Sequence, residues 1–147
     1  MQFTDYSAYP ATVAQNAEGR FIVVVSAFEH VVGEGRSREE AIENAVSAFG
    51  EKVSRRLRKH HKIPSAPQCQ EGEELLPLPF AMTMKLIIRN IMLDKGMTQR
   101  DLAASVGSTP QIVTQTLDFG RTRTSTDVLL AYLKVLGMRL DISLAED

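Results

Sequence analysis

The sequence predicts an α+β protein with two domains, residues 1–79 and 80–147. In the first half, runs of β-branched residues precede one long amphipathic pattern, which predicts a small sheet covered by a helix. The second half contains helical patterns and one alternating tail, which predicts an all-α domain with a terminal β-strand. The proline-rich stretch Leu75-Leu-Pro-Leu-Pro79 separates these patterns, so we place the domain boundary there and expect few contacts across it.

Three strands are predicted before the long helix. Tyr, Thr and Val residues favour strands at 9–15 and 20–28, on either side of a turn at 16–19. A short third strand is expected at 31–34, and the segment Gly33-Glu-Gly35 is expected to break it.

The long helix has a clear predicted start. Ser37, with Glu40 three residues later, is typical of a capping box, and apolar residues then recur at helical spacing to about residue 59. Residues 60–72 are polar and predict a loop. A strand at 73–77 is closed by prolines, which places it near an edge of the sheet.

Helices dominate the second half. One begins near Met82 and ends at Gly96, and another is expected at about 125–136, where Gly137 stops it. Residues 139–144 alternate polar and apolar side chains, which predicts the terminal strand.

Between those helices, residues 97–117 predict two short helices joined by a tight turn at Gly107, with small Ala103 where they would cross. Thr98 and Thr109 are placed to cap the two helices. This pattern is typical of a helix-turn-helix that inserts its second helix into a DNA major groove, so binding of operator DNA is favoured over catalysis. The apolar contacts between the helices are expected from Leu102, Val106, Val113 and Leu117.

The side chains expected to meet DNA are mostly amides and hydroxyls. The second helix has no Arg or Lys, so base recognition would depend on Gln side chains, which can bond an adenine edge. Arg100, Arg121 and Arg123 lie where phosphates are expected, and Gln99 offers an amide to one. The full set of predicted DNA contacts is Thr98, Gln99, Arg100, Thr109, Gln111, Thr114, Gln115, Arg121 and Arg123.

Composition limits the classes of function. The 147 residues carry a net charge of -1, so DNA binding would require a local basic patch. Cys69 is the single cysteine, which rules out an intrachain disulfide and suits the cytoplasm. The first residues lack the features of a signal peptide, and the apolar runs are too short to span a membrane.

We expect no enzyme activity, cofactor, metal or small-molecule substrate. Two-metal nuclease chemistry needs several carboxylates, and the first predicted strand has none. Gly33-Glu-Gly35 lacks a phosphate-binding fingerprint. His60, His61 and Cys69 offer no fourth zinc ligand at a clear spacing, so they predict a solvated loop.

A basic run marks the end of the long helix. It is consistent with a solvated surface that suits the negative end of the helix dipole, or with a contact for an acidic partner or RNA. Its members are Arg55, Arg56, Arg58, Lys59 and Lys62.

The chain resembles two known families. The second half resembles the Cro/cI-type helix-turn-helix family through Met97-Thr-Gln99, Leu102-Ala103, Gly107 and Val113-Thr114. The first half resembles the HicB antitoxin family, and with the proline-rich connector it follows the order found in HicB antitoxins that carry a helix-turn-helix. The segments that match this family are Tyr9-Pro-Ala-Thr-Val13, Glu18-Gly-Arg-Phe21 and Gly33-Glu-Gly-Arg-Ser-Arg-Glu-Glu-Ala-Ile-Glu-Asn-Ala45.

The resemblance implies a partly formed RNase H-like fold in the first half. It also implies a partner, HicA, which is a small mRNA-cleaving toxin that HicB binds and masks, and a second domain that represses the operon's promoter. Because the toxin binds RNA, its active face is expected to be basic and to contact acids of this chain. The candidate acids are Glu29, Glu34, Glu39, Glu43, Glu73 and Glu74.

We also expect a homodimer or homotetramer, because a single helix-turn-helix reads only half of a symmetric site. Leu140, Ile142 and Leu144 would pair with their equivalents across a two-fold axis, since an unpaired apolar strand is a liability. Two alternatives stay open at this point. One is a stand-alone phage-like repressor with a sensing or oligomerising first domain and no toxin, and the other is a catalytic or RNA-binding RNase H-like protein.

Overall fold

The computed structural model describes residues 1–121 and 123–147, and it is mixed α+β as predicted. A short 3-10 turn at Phe3–Asp5 precedes the first strand. The elements that follow are β1 (Ala8–Gln15), β2 (Phe21–Val25), β3 (Val32–Gly35), α1 (Arg38–Arg58), β4 (Glu74–Pro77), α2 (Phe80–Asp94), α3 (Gln99–Val106), α4 (Pro110–Thr116) and α5 (Thr126–Val135).

The four strands form one antiparallel sheet in the order β3-β2-β1-β4. Strand β4 is at an edge, as its prolines predicted. On the face of the sheet towards α1, Tyr9 of β1 and Val23 of β2 are buried, and the Tyr9 ring centroid lies 4.7 Å from that of Phe49 of α1. Within the described chain, no helix packs on the opposite face of the sheet as α1 packs on the first. Val24, which lies between two buried residues of β2, is 40% exposed on that opposite face.

Two glycines of β3 let α1 approach the sheet closely. A Cβ atom placed on Gly33 would lie 2.2 Å from the Ala45 backbone nitrogen, and one on Gly35 would lie 2.6 Å from the Ala41 nitrogen. The prediction that Gly33-Glu-Gly35 breaks the strand is therefore wrong, because β3 runs through Gly35. Glycine serves here to remove side chains between a strand and a helix, which is a use that local sequence patterns do not reveal.

Helix α1 begins at the predicted cap, with one difference in detail. The Ser37 hydroxyl accepts a hydrogen bond from the Glu40 backbone N–H at 3.1 Å. The Glu40 carboxylate reaches the backbone N–H of Arg36, at 3.3 Å, instead of that of Ser37. The cap is confirmed, and the reciprocal half of the capping box is displaced by one residue.

The two halves of the chain share one continuous hydrophobic core. The buried Asn90 side chain of α2 accepts a hydrogen bond from the Ile63 N–H and donates one to the Ile63 carbonyl, both at 2.8 Å. Gly50 of α1 lies against Met82 of α2, and a Cβ there would be 3.2 Å from the methionine methyl. Through these contacts the loop after α1 and the middle of α1 are attached to α2, since the Asn90 amide pairs with the backbone of that loop. The domain boundary at residue 79 stays a prediction.

The C-terminal tail differs from its predicted structure. Residues 138–147 form no strand, and the sheet consists of the strands named above. Leu140 is partly buried, whereas Ile142 is 73% exposed and Leu144 is 99% exposed. A strand requires a hydrogen-bonded neighbouring strand, and the described single chain offers none to this tail. The alternating pattern alone is therefore not enough to form a strand here.

Candidate nucleic-acid and partner interfaces

Helix α3 begins and ends where local chemistry dictates. The Thr98 hydroxyl accepts from the Asp101 N–H at 3.1 Å, and the Asp101 carboxylate accepts from the Thr98 N–H at 2.9 Å. These bonds hold the pKa of Asp101 below its usual value. Gly107 ends the helix in the left-handed region, with φ of 69°, which glycine adopts without steric penalty. This box and this glycine set the angle at which the next helix leaves.

Helix α4 is held against α3 along one side. The Thr109 hydroxyl caps it by accepting from the Ile112 N–H at 3.2 Å, and Pro110 occupies its first turn, as predicted. Val113 and Leu117 are fully buried, together with Leu102 of α3. The pair therefore has the local features of a helix-turn-helix, with the remaining side of α4 free of the core.

The free side of α4 and its surroundings contain most of the predicted DNA contacts. Gln99 is half-buried and accepts a hydrogen bond from the Thr114 hydroxyl at 2.5 Å, so the start of α3 is adjacent to α4. Thr98 and Thr109 use their hydroxyl oxygens as helix caps. The remaining predicted contacts are exposed at the surface, namely Arg100, Gln111, Thr114, Gln115, Arg121 and Arg123.

Lys85 is a functional candidate that the sequence analysis missed. Lys85 is 1% exposed, and its ammonium group donates hydrogen bonds to the backbone carbonyls of Asp118 and Arg121 at 2.7 and 2.9 Å. Burial lowers the pKa of Lys85, while the negative charge of Asp118 opposes that effect. The ammonium therefore fixes the loop after α4, which carries Arg121. The available signal was a single charge inside an apolar run, Met84-Lys-Leu-Ile-Ile88.

The six candidate glutamates do not form one cluster. Glu34 pairs with Arg20 at 2.6 Å on β2–β3, and Glu74 pairs with Arg38 at the start of α1. Glu73 accepts a hydrogen bond from the Gln70 N–H at 2.9 Å, and hydrogen bonding to the Ser26 side chain and to the Gln70 backbone lowers its pKa. The three others are exposed on the turn after β2 and on the first turns of α1, and they are Glu29, Glu39 and Glu43.

The outer face of the sheet is an apolar surface that the sequence analysis also missed. Val24 is 40% exposed, Val32 is 45% exposed and Leu75 is 56% exposed. Val24 and Val32 are direct cross-strand partners, while Leu75 pairs with Pro10 on the same sheet. Since β2 consists of the run Phe21-Ile-Val-Val-Val25, its apolar residues do not alternate with polar ones, so sequence alone could not separate the two faces.

Within the described ranges, no group of three metal-ligating side chains is close enough to hold an ion. In the same residues, no helix is long and apolar enough to cross a membrane.

Comparisons with known proteins match the first half of the chain to a family model and most of the chain to individual relatives. The model of the HicB-like antitoxin of bacterial toxin–antitoxin systems matches residues 8–87, which span the sheet, α1 and the start of α2. Antitoxin HicB 1 of Photorhabdus laumondii is 28% identical over 136 residues, which cover 92% of this chain and 86% of that protein. Antitoxin HicB of Escherichia coli K12 is 23% identical over 134 residues, covering 91% and 96%. The chain belongs to the HicB-like antitoxin family and is a regulatory protein, not an enzyme.

Proposed function

We propose that this protein is a cytoplasmic antitoxin that binds and masks a HicA-type mRNA-cleaving toxin and represses its own operon. Residues 1–79 would bind the toxin, while residues 80–147 would bind promoter DNA and form the dimer. The observation that carries the second role is the capped α3–Gly107–α4 unit, whose outward side presents amides and hydroxyls. The family carries the first role, since an antitoxin implies a toxin partner.

The DNA-binding surface combines two kinds of contact. Gln111 is exposed on the first turn of α4, where its amide suits an adenine edge in the major groove. Arg121 is exposed on the loop that Lys85 fixes, where its charge suits a backbone phosphate. Together they would read the operator sequence and hold the duplex in register.

Gel-shift titrations of the full chain test this role on promoter DNA and on random DNA. Gln111→Ala should cost about 1–3 kcal/mol of specific binding and relax the sequence preference at one position. Arg121→Ala should weaken both DNAs alike and reduce the salt slope by about one. The exposed Gln68, in the loop before β4, gives the matched control Gln68→Ala, which should have no effect. If Gln111→Ala weakens both DNAs equally, α4 is not the recognition helix.

The outer face of the sheet is the surface that best suits the toxin. It offers an apolar centre in Val24, Val32 and Leu75. Glu34 follows Val32 by two residues on the same face of β3, so an acid borders the apolar centre. An apolar centre with a charged rim is typical of stable complexes, and the acid suits a basic RNA-binding face. Of the six candidate glutamates, Glu34 is thus the strongest.

Pull-down of the toxin by the full chain tests this surface. Val24→Asp should weaken toxin binding at least tenfold, because a charge would be buried at the centre of the interface. Val128→Asp on α5 is a matched control, since that valine is 38% exposed and lies in the other half. Toxin binding that survives Val24→Asp and fails with Glu39→Ala would place the toxin on α1 instead.

A homodimer or homotetramer completes the proposal. Ile142 and Leu144 have large exposed apolar side chains and no strand partner within the described chain. A second copy would cover them by pairing the two tails around a two-fold axis, which also matches the symmetry of operator half-sites.

A further inference from the structure

A cleft between the two halves of the chain is lined by basic side chains to which no role has been assigned. One wall is the end of α1 with the loop after it, and the other is the second half of α2 with the start of α3. Its volume is about 580 Å³. Arg58, His60 and Lys62 line the first wall, and Arg89 lines the second, so part of the basic run lies here.

The charges of the cleft are only partly balanced. Lys62 pairs with Asp94 at 2.6 Å, but among the described residues neither Arg58 nor Arg89 forms an ion pair. The half-buried Arg89 has a lowered pKa, first because it is desolvated and second because Arg58 is nearby. Two guanidinium groups that repel each other at a partly desolvated site would be stabilised by a bound anion.

The cleft is continuous with the proposed DNA surface. Thr98 and Gln99, at the start of α3, form part of its lining, and Gln99 accepts the hydrogen bond from Thr114 of α4. The two hydrogen bonds between Asn90 and Ile63 join the walls next to Arg89, so the arginines are presented from a fixed frame. A duplex that lies on α4 would therefore be close to the side of the cleft formed by Gln99.

We propose that this cleft binds a phosphate of the DNA backbone through Arg58 and Arg89, next to the segment read by α4. The inference rests on the proposed DNA binding and extends the footprint from the helix-turn-helix onto the first half of the chain. Arginine suits this role because its planar group can donate two parallel hydrogen bonds to phosphate oxygens. The proposal also assigns a role to Arg58, which belongs to the basic run. Arg56 of the same run has a different contact, since it lies over the Phe28 ring, 5.4 Å from the ring centroid.

The test measures DNA affinity against salt for the full chain and for Arg58→Gln and Arg89→Gln. Each variant should weaken promoter and random DNA alike, roughly threefold to tenfold, and lower the salt slope by about one. Arg36→Gln is the matched control, because Arg36 is exposed and precedes the other end of α1, roughly 30 Å away for a helix of this length. A melting temperature for Arg89→Gln no lower than that of the native chain would show that the arginine is not needed for folding.

Three results would overturn the proposal. Unchanged DNA affinity in both variants, with Arg121→Ala still weakening it, would reject the cleft and leave the proposed repressor intact. Loss of single-stranded RNA binding without loss of duplex DNA binding would make the cleft an RNA site. Absence of promoter binding by the native chain would reject the repressor role and the cleft together.

Discussion

The two halves of this chain are specified in different ways. The second half is built from short-range signals, since Thr98 and Asp101, three residues apart, cap α3 and Gly107 ends it. The first half depends on long-range packing, because Gly33 of β3 must leave space for the backbone of Ala45. The structure of a locally specified element can be predicted from sequence, whereas a surface made by several strands cannot.

The largest effect should come from Gly33→Ala in the first half. The added Cβ would lie 2.2 Å from both the Ala41 carbonyl oxygen and the Ala45 nitrogen, so α1 would have to move away from the sheet. We expect a loss of about 3 kcal/mol in the free energy of unfolding, measured by urea denaturation. Gly120→Ala is the control, since the added Cβ would lie 3.5 Å from its nearest neighbour, the Asp118 carboxylate oxygen. A loss below about 1 kcal/mol for Gly33→Ala would show that the helix–sheet spacing adapts.

Lys85→Met tests whether the second half also contains a long-range element. The variant leaves the Asp118 and Arg121 carbonyls without their hydrogen-bond donor, so the free energy of unfolding should fall by about 1–3 kcal/mol. Binding of promoter DNA should weaken as well, because the loop with Arg121 is released. Lys95→Met, at the exposed end of α2, serves as the reference. Full DNA affinity in Lys85→Met would mean that the loop holds its position without the buried ammonium.

The tail tests the contribution of a second copy. Light scattering at micromolar concentration should give at least a dimer, and Ile142→Asp should weaken association tenfold or more, which is about 1.4 kcal/mol. Ile112→Asp is a matched control, because that isoleucine is 51% exposed and lies outside the tail. A monomeric native chain, or a dimer indifferent to Ile142→Asp, would reject the proposed pairing of tails.

The smallest effect concerns the pH dependence of the α3 cap. Since hydrogen bonds from Thr98 lower the folded pKa of Asp101, its contribution is complete above the unfolded pKa near 4 and is lost as the pH falls through the lower folded value. The melting temperature of Asp101→Asn should therefore lie below that of the native chain at pH 7, and the two should converge below about pH 4. A difference that stays constant with pH would show that the charge is not involved.

The helices and their caps were predictable because each depends on residues close in sequence. Ser37, Thr98, Thr109 and Gly107 all have the roles that were expected of them. The edge position of β4 followed similarly from its prolines.

The errors share a physical cause, which is dependence on a distant partner. Gly33 predicted a break in the strand, because the sequence does not show that the Ala45 backbone lies against it. The alternating pattern of the tail predicted a strand, but the described chain has no neighbouring strand for it to pair with. Lys85 and the outer-face residue Val24 were missed because their partners or exposure arise from tertiary structure. In the same way, the charges of the glutamates were visible in sequence, but their dispersal over several surfaces was not.

In the proposed function, toxin binding and promoter binding use separate surfaces of one chain. The most direct test measures both in one bacterial strain that carries an inducible toxin gene and a promoter reporter, with Val24→Asp and Gln111→Ala each made in the 147-residue chain. We predict that Val24→Asp fails to restore growth but still represses the reporter in the absence of toxin, and that Gln111→Ala restores growth but releases the reporter. Loss of both functions in either variant, with native stability retained, would contradict the account.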